Sequence, residues 1–233
     1  MEMILAKNVS KIYENGSKKT FALNDVSFEI SKGEFVVVLG QSGAGKSTLL
    51  NILGGIDSLS TGEIMVNGIS LSKMKENELA GYRANEIGFI FQFYNLIPTL
   101  TVYENVALMK DIKDDILNPM TILERVGLKN HAKKFPSQLS GGEQQRVSIA
   151  RAITKNPEIL LCDEPTGALD SETGCKVLQL IQDVCREFQK TAIIVTHNSN
   201  IAKAADKVIR LRNGKILDIS VNENPADIKE VEW

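Results

Sequence analysis

Three short runs of uninterrupted apolar residues punctuate the chain: Phe35, Val36, Val37, Val38 and Leu39; Ile159, Leu160, Leu161 and Cys162; and Ala192, Ile193, Ile194 and Val195. Runs of this length bounded by turn residues are expected where a strand is covered on both faces, as in a parallel sheet. Between the second and third runs, Val177, Ile181, Val184 and Phe188 recur at spacings of three and four and predict an amphipathic helix. A second helix pattern, Leu49, Leu50, Ile52 and Leu53, follows the first run. The stretch 4–30 is β-rich with a turn at Glu14, Asn15, Gly16 and Ser17, and Asn67-Gly68 and Asn213-Gly214 each read as hairpin turns. From Lys73 to about Ala152 the pattern is mainly helical, interrupted by strand-like Ile87, Gly88, Phe89, Ile90 and Phe91. These elements predict one α/β domain over residues 1–220, with an N-terminal antiparallel β subdomain and a helical insertion at about 73–152. Residues 221–233 are polar and acidic, and a loosely held tail is expected there.

Composition narrows the function classes. Hydrophobic residues make up 43% of the 233, enough for a substantial core, and the net charge of −2 is spread without a basic stripe. A nucleic-acid partner is therefore not expected. No window approaches the roughly 20 apolar residues that span a bilayer, and the apolar run at the N-terminus is too short for a signal peptide. Work at a membrane is expected to go through a partner. Cys162, Cys175 and Cys185 lack CxxC spacing, so buried thiols in a reducing cytoplasm are expected rather than a disulfide or zinc framework.

The first chemical motif follows the first apolar run. Gly40, Gln41, Ser42, Gly43, Ala44, Gly45, Lys46 and Ser47 match G-x-x-x-x-G-K-[ST] without a mismatch, and Thr48 continues into the helix pattern. Glycines let the backbone curl so that successive N–H groups face one cluster of oxygens, and the helix that begins near Lys46 adds its positive end. Lys46 is placed to meet the β- and γ-phosphates, and Ser47 to offer a hydroxyl to Mg²⁺. Asp163 and Glu164 close the second apolar run, at the end of a parallel strand where such sheets bind ligands. Asp163 suits the Mg²⁺ through water, and Glu164 suits the water that attacks the γ-phosphate.

Leu139, Ser140, Gly141, Gly142, Glu143, Gln144, Gln145 and Arg146 resemble the signature motif of ABC ATPases, which other P-loop classes lack. The remaining pieces fall in that family's order: Gln92 after Phe91, the signature, Asp163-Glu164, Ala168-Leu169-Asp170, and His197 after Val195-Thr196. The similarity runs over roughly residues 1–220 and implies a P-loop NTPase fold of the ABC nucleotide-binding type. It also implies that Tyr13 stacks on adenine, that Gln92 touches Mg²⁺ and the membrane partner, and that His197 contacts the γ-phosphate and steadies Glu164. Ser140, Gly141 and Gly142, opening a helix, offer a second phosphate-binding element. In this family the two elements do not hold the same ATP. The resemblance therefore implies a homodimer with each ATP closed between one P-loop and the other chain's Ser140. Asp170 is then expected at the dimer seam, with a helix N-cap as its alternative role. His131, among Lys129, Asn130 and Lys133, reads as a solvated loop residue.

Residues 91–106 and 162–170, with Val195-Thr196-His197-Asn198, look like the macrolide-export and lipoprotein-release branch. Relatives of that kind pair with permeases of few membrane helices and a large external domain, which implies a place on the cytoplasmic face of the cell membrane. Phe93, Tyr94, Leu96 and Ile97, on a Pro-interrupted loop, are the expected docking patch for the permease. Antimicrobial-peptide resistance and cell-division subunits share much of this pattern, so an ABC ATPase of cell division or envelope regulation is the alternative to a transporter. DNA-repair types carry a long coiled coil between P-loop and signature, and no sustained heptad run occupies that interval here. Translation-associated types carry two such domains in tandem, and only one fits. Lys46, Glu164 and His197 are all present, so nothing marks the chain as an ATP binder without turnover.

Overall fold

The computed structural model describes residues 1–16 and 18–231; Ser17 of the first expected turn and the last two residues of the expected tail lie outside it. The chain builds two sheets. In the first, β1 (Glu2–Asn15) and β2 (Lys18–Ser31) form a long hairpin, continued by β4 (Thr61–Val66) and β5 (Ile69–Ser70) in the antiparallel order β2-β1-β4-β5. The second has the order β10-β9-β3-β8-β7-β6, made of β3 (Phe35–Leu39), β6 (Ile87–Phe91), β7 (Ile159–Asp163), β8 (Thr191–Thr196), β9 (Lys207–Arg212) and β10 (Lys215–Val221). All its neighbours run parallel except the edge pair β9 and β10.

Alternation within each apolar run serves two cores at once. Phe35, Val37 and Leu39 face one core with Ile90, Leu160, Cys162, Ala192 and Ile194. That face is covered by α3 (Val102–Ala107), α4 (Pro119–Arg125), α5 (Gly141–Thr154) and α6 (Ser171–Phe188). Val36 and Val38 face the other, with Ile159, Leu161, Ile193 and Val195, under α1 (Lys46–Leu53) and the antiparallel sheet. Both faces are dry, which is why these strands read as unbroken apolar runs. The helical stretch predicted from Lys73 contains α2 (Glu76–Glu86), then β6, then α3 to α5. Since β6 is an edge strand of the main sheet, the inserted helical layer begins only after it, and α5 runs to Thr154.

The helix ends carry the capping chemistry their sequences offer. Thr101 and Glu104 form a capping box on α3, Asn118 caps α4 ahead of Pro119, and Asp170 accepts from the Thr173 N–H at 2.9 Å on α6. The N-cap role of Asp170 is therefore seen directly. Cys162 and Cys185 are buried free thiols, and Cys175 is half-buried. Among the described residues no helix is long and apolar enough to cross a membrane.

Two sequence expectations need correction. The segment after Val221 is not loosely held over its described residues: Ile228 and Val231 are buried in the helical-side core, and Asn222 donates to the carbonyls of Ala202 and Ala205. Two apolar residues within a polar stretch gave no periodic signal, yet they suffice to pin the segment. His131 is half-buried rather than solvated, with Nδ1 3.2 Å from Oε1 of Glu143. Ile228→Ala is expected to lower unfolding stability by about 2 kcal/mol, the low end for a buried Ile truncation because a terminal segment can relax. Urea unfolding measures it, and an unchanged midpoint would mean that the segment is not docked in solution.

Candidate functional site

The loop that leaves β3 bends into α1 through two left-handed glycines, Gly43 and Gly45, with φ of 77° and 102°. Gly45 is also crowded: a Cβ there would lie 2.3 Å from the Ala22 carbonyl oxygen of β2, so no side chain fits. Lys46 is largely buried and donates to the carbonyls of Gly40 at 2.8 Å and Gln41 at 3.2 Å, which keeps its ammonium over the mouth of the loop. Ser47 Oγ lies 3.4 Å from Oδ1 of Asp163, across from the end of β7.

These groups line a cavity of about 530 Å³. Ser42, Gly43, Gly45, Lys46, Ser47 and Thr48 form its floor, and Gln92, Asp163, Glu164 and His197 form one wall. Thr20, Phe21 and Ala22 of β2 form another, a contribution that the sequence reading missed because a half-polar hairpin strand carries no motif. Gln92, Asp163-Glu164 and His197 follow or end β6, β7 and β8, so the wall is the C-terminal edge of neighbouring parallel strands.

The carboxylates differ in setting. Burial raises the Asp163 carboxyl above the usual range; the Glu164 charge adds to this, while the Ser47 hydrogen bond and Lys46 oppose it. Glu164 sits in the left-handed region at φ 45°, strained for a side chain of its size. Its Oε2 accepts from the Thr196 hydroxyl at 3.0 Å, and its Oε1 lies 3.0 Å from Nδ1 of His197. Ser47 and Asp163 supply hard oxygen donors in the right place for Mg²⁺. Among the described residues no cluster of three or more His, Cys, Asp or Glu side chains could hold a metal ion alone. That donor set fits a cation completed by phosphate oxygens and water, the usual habit of Mg²⁺ at nucleotide sites.

The other expected site residues stand apart from this cavity. Tyr13 is not part of the lining; its hydroxyl donates to Oδ2 of Asp57 at 2.6 Å, and the Lys11 ammonium lies 4.9 Å from its ring centre. One ring face is thus taken by Lys11. Ser140 caps α5 in a box with Glu143, whose carboxylate accepts the Ser140 N–H at 2.7 Å. Gly142 packs so tightly on α6 that a Cβ would lie 2.3 Å from Cγ2 of Thr173, and a Cβ on Gly141 would lie 2.9 Å from the Tyr94 hydroxyl. The signature glycines are therefore required for close packing before any ligand arrives. Two further side chains of α5, fully buried Gln145 of the signature and half-buried Arg151, tie these parts together. Gln145 donates to the carbonyls of Phe91 and Pro165, and Arg151 donates to those of Tyr94 and Asn95, both left-handed.

The ABC transporter family profile matches residues 23–167. The chain belongs to that family. It is 41% identical to an ABC transporter ATP-binding protein of Mycobacterium tuberculosis, over 97% of this chain and 93% of that one. It is 43% identical to the macrolide export ATP-binding/permease protein MacB of Neisseria meningitidis, over 97% of this chain but only 35% of that longer protein. Its fold superposes on a dimeric post-hydrolysis state of the ATP-binding cassette MJ0796 bound to ADP and Pi. The TM-score is 0.86 at 40% identity, covering 95% of this chain and all of that one. MJ0796 belongs to Methanocaldococcus jannaschii. The chain is an ABC-type ATPase subunit, and its relatives lie in the macrolide-export and lipoprotein-release branch.

Because folding raises the Asp163 pKa, the protonated carboxyl is the better-tolerated form in the empty protein. Its contribution to stability is fully present below the ordinary carboxylate range and is lost as pH rises through the folded value. Asp163→Asn should therefore raise the unfolding midpoint of nucleotide-free protein at neutral pH while weakening Mg²⁺-dependent ATP binding. The stability advantage should shrink as pH falls into the carboxylate range. Identical midpoints at neutral pH would contradict the burial argument.

Proposed function

We propose that two copies of this chain close head to tail around two ATP molecules and that this closure drives a separate membrane permease, for export or for mechanical work on the cell envelope. The observation that carries the dimer is a division of labour. One cavity gathers Lys46, Ser47, Asp163, Glu164 and His197, yet none of its lining residues comes from the signature. Ser140 and its helix N-terminus offer N–H groups elsewhere on the surface and need phosphate from a second copy. The dimeric form of MJ0796 supports the pairing of two copies.

Within the closed site each residue has a defined task. Lys46 exchanges the Gly40 and Gln41 carbonyls for the β- and γ-phosphates. Ser47, Asp163 and Gln92 would hold Mg²⁺, which when bound would neutralise charge on the phosphates. Glu164 orients the attacking water and takes its proton, and His197 turns toward the γ-phosphate while steadying Glu164. Tyr13 offers its free face to adenine, with Phe21 completing the wall. Asp170 stands at the dimer seam while capping α6.

The permease docks on the loop between β6 and α3. Asn105, fully buried, locks that loop through hydrogen bonds with the backbone of Ile97, Leu100 and Thr101. Phe93 is 76% exposed and Ile97 40%, an apolar pair on a rigid support. Leu96 packs on the core and Tyr94 lies against Gly141, so Phe93 and Ile97 form the contact and not the whole expected quartet. MacB, which joins ATP-binding and permease parts in one protein, supports a permease as the partner. The chain accordingly works at the cytoplasmic face of the membrane.

Glu164→Gln should cut turnover by about 10²–10⁴, the worth of a general base, and should accumulate as an ATP-bound dimer in sedimentation. Adding Ser140→Arg should abolish that dimer by blocking the opposite face of the ATP. A Glu164→Gln protein with wild-type turnover removes Glu164 from the mechanism, and a dimer indifferent to Ser140→Arg rules out the head-to-tail arrangement. The docking face is tested separately: Phe93→Asp with Ile97→Asp should leave basal ATPase intact but lose co-purification with the membrane partner. Undiminished co-purification would place the partner elsewhere.

A further inference from the structure

We infer that Thr196 is a positioning residue for hydrolysis: its buried hydroxyl holds the Glu164 carboxylate in place while His197 is free to move. The inference rests on Glu164 as the base proposed above. Two groups grip that carboxylate in the structure, and their settings differ sharply. The His197 side chain is 72% exposed, so its contact with Oε1 is made and broken in water. Thr196 is 2% exposed, and its hydroxyl reaches Oε2 at 3.0 Å from inside the sheet.

The direction of that bond is fixed by its neighbours. The Asn198 N–H donates to Thr196 Oγ1 at 3.1 Å and occupies one of its acceptor positions. The hydroxyl proton is then left for the carboxylate, which only accepts while ionised. A hydrogen bond from a buried hydroxyl to a charged group is among the stronger ones available to a protein. Thr196 also ends β8 directly opposite Leu39, the last residue before the phosphate loop. The hydroxyl thus references Glu164 to the strand that positions the phosphates. Glu164 needs such a tether because its own backbone, at φ 45°, is in a region where its side chain finds little local support. Thr196 is absent from the cavity lining, so it acts only through Glu164.

The test compares Thr196→Val, Thr196→Ala and Thr196→Ser with wild type in Mg-ATP turnover, alongside ATP binding and thermal unfolding. Valine keeps the shape and β-branching but removes the hydroxyl. The expected result is a loss in kcat of about 10- to 100-fold in both the Val and Ala proteins, the range for a hydrogen bond to a charged group, with KM for ATP little changed. Serine should restore most of the rate. In a Glu164→Gln background, Thr196→Val should add no further loss, because residues that act through one another are not additive. Three results overturn the inference: wild-type kcat in the Val protein beside a slow Glu164→Gln protein, an equal loss from Thr196→Val in the Glu164→Gln background, or kcat values in the Val and Ala proteins that track their stabilities rather than the missing hydroxyl. A Glu164→Gln protein as fast as wild type would instead bring down the Glu164 assignment, and Thr196 with it.

Discussion

Pairing register among four parallel strands sets the geometry on which everything else relies. Leu39 lies opposite Thr196, Asp163 opposite Val195, and Phe91 opposite Asp163. With the strand ends level, the phosphate loop, Glu164, Gln92 and His197 emerge side by side along one edge. A slip of one residue in any pair would turn each buried side chain to the opposite core. Such a slip is resisted by both cores, since alternate residues of each strand are sealed on either face. The hydrophobic effect that stabilises the sheet therefore also fixes the spacing of the groups that line the cavity.

The signature segment is placed by contact rather than by register. The N-terminus of α5 is wedged between Thr173 of α6 and the Tyr94 hydroxyl of the loop after β6. Arg151 and Gln145, from the same helix, grip the backbone of that loop and of the Asp163-Glu164-Pro165 turn. The loop bearing Phe93 and Ile97 is thus joined to the N-terminus of α5 through packed groups, not through solvent. Close packing makes such a linkage stiff.

Polarity is used sparingly but in decisive places. Asn105 bonds to the backbone of Ile97, Leu100 and Thr101 and so shapes the loop between β6 and α3, Thr196 holds Glu164 from the end of β8, and Gln145 joins Phe91 at the end of β6 to Pro165. In a dry interior such groups specify a single arrangement, because leaving them unpaired is costly.

The sequence by itself determined the strands of the main sheet, the hairpins, the P-loop and its carboxylates, and through the signature the family. These are local signals: an apolar run, a turn pair such as Asn67-Gly68, or a motif whose glycines must curl around phosphate are readable wherever they stand in the chain. It also contained Thr20, Phe21 and Arg151 without any motif to mark them, and it placed Asn105, Gln145 and Thr196 inside recognisable segments without saying what their side chains hold. Their importance comes from partners far along the chain: Gln145 lies 54 residues from Phe91, and Thr196 lies 32 from Glu164. The docking of Ile228 and Val231, the partial burial of Leu96 beside exposed Phe93, and the contact of His131 with Glu143 were likewise decided only by folding. A side chain's exposure and its hydrogen-bond partner are properties of the surface brought against it, and one-dimensional pattern carries no record of that surface.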